Sequence, residues 1–177
     1  MTRLISALGA LALALAATST LAAPADPGRL GQDVVPTFQA VDLELDADQP
    51  TYRGSVRIAL KVVRATDRFA LHAREMELGP VALEGSGGAI EVTHEHAGDL
   101  VTLRTRAALA PGEYSLTIAF DGPFSTRAVA LYRMEQDGLG YAFTQIEASD
   151  ARGAFPCFDE PGFKIPWQLT LTVPESH

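Results

Sequence analysis

The stretch from Thr144 to Pro161, TQIEASDARGAFPCFDEP, concentrates side chains that could do chemistry. It holds four carboxylates, one guanidinium and the only cysteine of the chain: Glu147, Asp150, Asp159, Glu160, Arg152 and Cys157. A carboxylate can hold an ammonium group through a charge-assisted hydrogen bond, and a guanidinium can take two carboxylate oxygens at once. The segment could therefore bind a cationic group, and it could also be stapled internally by ion pairs.

Within this stretch we expect Arg152 to staple the loop rather than to contact a substrate, because three carboxylates lie within reach as partners. The candidates are Asp150, Asp159 and Glu160. Cys157 stands between Pro156 and Phe158, and we expect a buried small hydrophobic residue there. A nucleophilic cysteine needs a base, and the sequence singles out no histidine for that role.

The remainder of the chain alternates apolar and polar residues with a period of two, which predicts half-buried β-strands. The clearest run is Val56 to Val62, where Arg57 and Lys61 interrupt the apolar series, and Tyr114 to Phe120 is similar. Turn signals such as Pro111-Gly112 separate the runs. After the first 23 residues, no segment before Ser149 shows helical periodicity. The pattern favours an all-β sandwich or barrel over a parallel α/β sheet.

These elements place the charged stretch at the end of a strand. We predict a strand over 141–146 and then a short helical turn near residues 149–155. Ser149 or Asp150 would cap this turn, and Pro156 would end it. Pro156 and Pro161 then fix backbone angles on both sides of the loop. The segment should form a rigid platform that aims side chains into a cleft.

Residues 1–23 have the pattern of a secretory signal peptide: Arg3, an apolar run from Leu4 to Ala17, and small residues before the cleavage point. A membrane anchor needs about 20 apolar residues, so we expect export to the periplasm or outside the cell without membrane attachment after cleavage. Residues 24–35 are predicted to be a flexible lead-in, and residues 36–177 a single domain.

The net charge and the cysteine count of the chain limit the partners and the covalent links that we expect. The formal net charge is −8, and no cluster of Lys or Arg offsets it. A nucleic-acid partner is therefore not expected. A single cysteine in an exported protein excludes an internal disulfide, so stability must come from packing.

Histidines offer a weak alternative. On a strand, His94 and His96 would lie on one face and could begin a zinc site, in which case the chain would be a metal carrier. The helical H-E-x-x-H pattern fails because Gly98 is the residue four after His94. We expect two solvated histidines and no metal bound by this chain.

The motif TQIEASDARGAFPCFDEPGFK resembles the signature loop of the aminopeptidase N family of zinc metallopeptidases. Three further stretches are similar to family elements: Tyr52 to Ile58, Leu109 to Leu116, and Leu131-Tyr132-Arg133, where Ala130 replaces the usual Gly. The resemblance covers roughly residues 36–175. It implies a saddle-like antiparallel β-sandwich that lies against a separate zinc-bearing catalytic domain.

The resemblance also implies roles for two residues. Glu147 occupies the position that binds the free α-ammonium of a peptide substrate, and Gln145 the position that lines the pocket for its first side chain. No catalytic residue is expected in this chain, because the family's zinc ligands, general base and transition-state Tyr belong to the downstream catalytic domain. We therefore expect a partial or truncated sequence, inactive alone, of an exported enzyme that removes N-terminal residues from peptides.

A rival interpretation is a stand-alone, non-catalytic β-sandwich that binds or scaffolds other molecules. The coding frame distinguishes the two: continuation into H-E-x-x-H favours the enzyme, and a true stop codon favours the module. Substrate preference and oligomeric state are not predicted.

Overall fold

The computed structural model describes residues 29–175; the predicted signal peptide and the first residues of the predicted lead-in lie outside them. These residues form eleven strands and one 3₁₀ turn. In chain order they are β1 (Val34–Glu44), β2 (Thr51–Val62), β3 (Thr66–His72), β4 (Glu77–Gly85), β5 (Gly88–Ile90), β6 (Val92–Ala97), β7 (Leu100–Leu109), β8 (Gly112–Pro123), β9 (Ala130–Gln136), β10 (Leu139–Gln145), the turn Ala151–Gly153 and β11 (Trp167–Thr172). No described helix has the length and hydropathy to span a membrane.

The strands form three sheets. The largest has six strands in the order β11-β1-β2-β8-β4-β5, the second has three in the order β3-β7-β6, and the third is the hairpin β9–β10. All pairings are antiparallel except that of β11 with β1. Mostly antiparallel pairing agrees with the prediction from alternating residues and short turns.

The core lies between the six-stranded and three-stranded sheets. On β2, Val56, Ile58 and Leu60 are no more than 2% exposed, whereas Arg57 between them is exposed. Because successive side chains on a strand point to opposite faces, this alternation selects which face is buried. Apolar residues of both sheets join one cluster: Val56, Ile58, Leu60, Leu116, Ile118 and Phe120 from the larger sheet, and Phe69, Leu71, Val101 and Leu103 from the smaller. The predicted all-β sandwich is confirmed.

The hairpin β9–β10 is attached to this body by one of its two faces. Gly140 lies so close to the Ala47 carbonyl that a Cβ there would overlap it, and its N–H faces the Asp48 carboxylate at 3.3 Å. Arg133, on the same face, donates from Nε to the Ala47 carbonyl at 2.8 Å. The hairpin is therefore held to the turn between β1 and β2, and its other face points away.

The last strand differs from the antiparallel expectation. β11 runs parallel to β1, with Val41 opposite Leu169, and in the described chain no strand pairs with its other edge. Trp167, Leu169 and Leu171 are 56, 44 and 51% exposed. A chain that returns to the sheet through a long loop can enter in either direction, and the loop 146–166 brings β11 in alongside β1.

Ile58→Ala should reduce the free energy of unfolding by about 2–5 kcal/mol, because it removes a fully buried side chain and leaves a cavity. Urea denaturation measures this change. The adjacent Arg57→Ala is the matched control, because its exposed side chain should change stability by no more than about 0.5 kcal/mol. Equal losses in the two variants would contradict the assignment of the buried face.

Candidate functional site

Gln145 and Glu147 lie at the end of the hairpin, where β10 leads into the charged stretch. Both residues are exposed, and the Glu147 N–H donates to Gln145 Oε1 at 3.3 Å. The peptide bond between Glu147 and Ala148 is cis. Within residues 29–175, the Glu147 carboxylate makes no hydrogen bond and no ion pair. This carboxylate is therefore available to a cationic group from outside the described chain.

A compact turn follows Glu147. The Asp150 N–H donates to the Ile146 carbonyl at 3.1 Å, and the Gly153 N–H donates to the Asp150 carbonyl at 3.1 Å. The predicted helical turn over 149–155 is present as a 3₁₀ turn of three residues, Ala151–Gly153. The predicted cap is wrong in its detail, since the Asp150 side chain makes no capping hydrogen bond. Its carboxylate instead accepts from Arg74 Nη1 at 2.8 Å, a charge-assisted bond that takes it away from the turn.

Arg152 binds Asp159 at three points. The Arg152 Nε and backbone N–H both donate to Asp159 Oδ2, at 2.9 and 3.2 Å, and one terminal nitrogen donates to the Asp159 carbonyl at 2.8 Å. The two side chains are only 15 and 10% exposed. Of the three candidate partners, Asp159 is thus the one that Arg152 binds. This pair closes the loop between the turn and the proline bracket.

A second arginine, absent from the predicted site, connects the turn to the sandwich. Arg74 follows β3 and donates from Nε and Nη2 to the Asp99 carboxylate at 2.9–3.2 Å, in addition to its bond with Asp150. These hydrogen bonds hold the pKa of Asp99 below its usual value and raise the pKa of Arg74. Asp99 and Asp150 lie 25 and 76 residues from Arg74, and no local pattern signals such distant partners.

Beneath the loop, backbone hydrogen bonds join Cys157 to His72. The His72 N–H donates to the Cys157 carbonyl at 2.8 Å, and the Cys157 N–H donates back at 2.9 Å. Cys157 is buried, and this burial raises the pKa of its thiol well above the usual value. A neutral, buried thiol is a packing residue and not a nucleophile.

His72 is 2% exposed, and its Nδ1 has no hydrogen-bond partner among residues 29–175. Burial lowers the pKa of His72, and the positive charge of Arg152 lowers it further, although Asp159, Glu160 and Asp99 act in the opposite direction. The neutral imidazole is therefore the form that the folded chain favours.

Other contacts secure the loop from neighbouring elements. The Tyr52 hydroxyl donates to the Ala154 carbonyl at 2.8 Å, and burial raises the pKa of this phenol. Gln39 Nε2 donates to the Pro156 carbonyl at 2.9 Å, and Glu160 Oε1 accepts from the Leu30 N–H. Strands β1 and β2 thus hold the loop against the sandwich through these side chains. Gln145 and Glu147 lie at the edge of this supported loop.

The alternative interpretation, a metal site that begins with His94 and His96, finds little support in the geometry of the described residues. His94 and His96 are both exposed on β6, and His96 Nε2 lies 3.0 Å from the Ala73 carbonyl oxygen. Among residues 29–175, no three or more His, Cys, Asp or Glu side chains lie close enough together to hold a metal ion. The described residues therefore do not fit the zinc site that the resemblance implies for a complete enzyme.

Comparison with known proteins gives a consistent result. Residues 35–177 match the family model described as Peptidase M1 N-terminal domain. Aminopeptidase M1-A of Oryza sativa subsp. japonica is 34% identical over 160 residues, which cover 81% of this chain and 18% of that protein. Aminopeptidase N of Acetobacter pasteurianus is 28% identical over 153 residues, covering 84 and 43%, and glutamyl aminopeptidase of Sus scrofa 30% identical over 162 residues, covering 84 and 17%. The chain spans less than half the length of each.

Arg152→Ala should lower the free energy of unfolding by about 3–5 kcal/mol, because it leaves the largely buried Asp159 carboxylate without its charged partner and with only the backbone N–H of residue 152. Thermal or urea denaturation measures the loss. The exposed pair of Arg53 with Glu44 supplies the control, since Arg53→Ala removes a solvent-screened ion pair and should cost far less stability. If the two arginine variants lose the same stability, the pair does not hold the loop.

Stability should also fall as the pH drops below about 6.5. The pKa of His72 is lowered in the folded chain, so the unfolded chain takes up a proton in this range while the folded chain stays neutral. The effect is at most about 1.4 kcal/mol per pH unit, and His72→Leu should remove it. Urea denaturation between pH 7 and 5 measures it, above the range in which Asp99 is protonated.

His94→Gln is the matched control, because it removes an exposed histidine and should leave the slope unchanged. An unaltered slope in His72→Leu would show that the buried imidazole does not govern this pH dependence.

Proposed function

Because the chain belongs to the Peptidase M1 N-terminal domain family, we propose that it docks the free N-terminus of peptides for an aminopeptidase. Glu147 receives the α-ammonium, and Gln145 contacts the first side chain. The observation that carries this proposal is the Glu147 carboxylate, which is exposed and has no partner among residues 29–175. The charged residues that follow it in the loop, from Asp150 to Glu160, each have a partner: Asp150, Arg152, Asp159 and Glu160.

The physical role of such an anchor is positional. A charge-assisted hydrogen bond to the α-ammonium fixes the end of the chain, so that only the first peptide bond lies at a set distance from the anchor. Holding a reactant in one orientation removes part of the entropic barrier to reaction. The loop contributes because it holds the backbone at Glu147 in place, so that a bound ammonium group is held at one position.

The remaining parts of the reaction are assigned outside the described residues. We propose that zinc and the groups that act on water belong to a separate catalytic domain, since residues 29–175 hold no suitable group of ligands. We also propose that residues 1–23 direct export to the periplasm or beyond, on the pattern of Arg3 followed by an apolar run. The partners are then peptides with a free N-terminus and that catalytic domain.

The test is binding, because the chain alone is expected to hydrolyse nothing. The probe is the peptide Leu-Ala-Ala-Ala-Ala, titrated into the full chain and followed by NMR chemical shifts. Glu147→Gln should weaken binding roughly tenfold, because it replaces an ionic hydrogen bond with a neutral one. The N-acetylated peptide, which has no ammonium, should bind the unaltered chain as weakly as the free peptide binds the variant.

Glu135→Gln is the control, since Glu135 is an exposed acid on the same hairpin, beside Arg133 at 3.6 Å. It should leave the affinity unchanged. Equal binding of the free and acetylated peptides, or no effect of Glu147→Gln, would refute the docking role.

A further inference from the structure

The outward face of the hairpin β9–β10 is largely apolar between Gln136 at one end and Gln145 at the other. Residues directly opposite each other on antiparallel strands share a face, and alternate residues on one strand do so as well. Tyr141 is opposite Met134, Phe143 is opposite Tyr132, and Leu139 precedes Tyr141 by two positions. These five residues, Tyr132, Met134, Leu139, Tyr141 and Phe143, are called the hairpin strip.

The hairpin strip is unusually open to water for side chains of this kind. Leu139, Met134, Tyr141 and Phe143 are 60, 57, 45 and 44% exposed. The rings of Tyr132 and Phe143 stack with centroids 5.5 Å apart and an interplanar angle of 24°. Exposed apolar residues are ordinary when they are scattered, but a contiguous patch marks a binding surface.

The packing of the hairpin explains why the strip faces outward. Its other face carries Gly140 and Arg133, which hold the hairpin against the carbonyl of Ala47. At the far end, a Cβ on Gly153 would lie 2.8 Å from the Ala130 Cβ, so the turn also presses against the start of β9. The strip cannot turn inward without breaking these contacts.

The strip leads directly to the proposed anchor. Gln145 is two positions after Phe143 and lies opposite Ala130, so it belongs to the same face. No charged residue lies on this face from Ala130 to Gln145, and the unpaired carboxylate of Glu147 follows at its end. One negative charge at the end of an uncharged apolar track complements a chain that begins with an ammonium and continues with apolar side chains.

We propose that the hairpin strip binds the apolar side chains that follow the anchored N-terminus of a peptide, and so selects longer apolar peptides over short or polar ones. This inference rests on the docking role proposed above. From Leu139 to Gln145 this face of the hairpin spans about 20 Å, which is the length of an extended peptide of about six residues. A dipeptide would reach only the anchor.

The experiment compares three peptides with free N-termini on the full chain by NMR titration: Leu-Ala-Phe-Ala-Leu-Ala, Leu-Ser-Ser-Ser-Ser-Ser and the dipeptide Leu-Ala. The apolar hexapeptide should bind roughly tenfold more tightly than the other two, because burial of even one large apolar side chain is sufficient for such a gain. Met134→Ser and Phe143→Ser should reduce this preference to less than about threefold.

Two variants are used because Phe143→Ser breaks the ring stack with Tyr132, whereas Met134 is not a member of that stack. Val63→Ser is the matched control, since Val63 is 49% exposed and lies just past the end of β2, outside the hairpin. It should keep the full preference. Circular dichroism melts establish that each variant is folded.

Three results would overturn the proposal that the hairpin strip binds peptide side chains. The first is equal affinity for the three peptides, and the second is an unchanged preference in folded Met134→Ser. The third is a concentration-dependent dimer in sedimentation that Met134→Ser abolishes, because the occupant would then be a second copy of this chain. The docking role is judged separately, by the acetylated peptide and by Glu147→Gln: their expected behaviour can hold while the strip fails.

Discussion

The ion pair between Arg152 and Asp159 is the constraint on which the geometry of the site depends. Three hydrogen bonds from one residue close the loop, and the guanidinium is shielded enough from water for them to be strong. Other hydrogen bonds hold the loop at Cys157, Ala154 and Pro156, and this ion pair joins the turn to the segment that follows the proline. The neighbouring pair of Arg74 with Asp99 and Asp150 then ties the closed loop to the sandwich.

The charged residues near this ion pair divide into those that hold the loop together and Glu147, which is proposed to bind substrate. The loop carboxylates that lie partly out of water are each satisfied, as burial of a charge requires. Among the acids of the loop from Glu147 to Glu160, the one without a partner in the described chain is the exposed one, Glu147. An exposed and uncompensated carboxylate on a supported backbone is well suited to exchange its water for an ammonium group.

Two apolar surfaces remain outside the core, and their positions differ. The hairpin strip lies on an arm whose other face is anchored to the body, and it ends at Gln145. Trp167, Leu169 and Leu171 lie on β11 at the edge of the six-stranded sheet. Residues 146–166, which join β10 to β11, contain the charged loop, and Glu147 lies at the start of this segment.

The clearest strands of the sandwich and the segment that carries the site follow from the amino-acid pattern alone. Alternation in β2 and β8 identifies the buried face, because a period of two has a single meaning on a strand that is half buried. The motif from Thr144 to Lys164 was sufficient to indicate the family. These features are local, and local patterns can be read without knowing which elements meet.

Which charges pair and which faces remain exposed depends on how distant elements meet in the folded chain. Arg74 meets Asp150 across 76 residues of chain, and the choice of Asp159 over Asp150 and Glu160 depends on where the turn places the guanidinium. The parallel entry of β11 and the outward strip of the hairpin likewise depend on contacts between distant elements. Ion pairs and exposed faces are properties of distance in space, and a linear pattern records distance only along the chain.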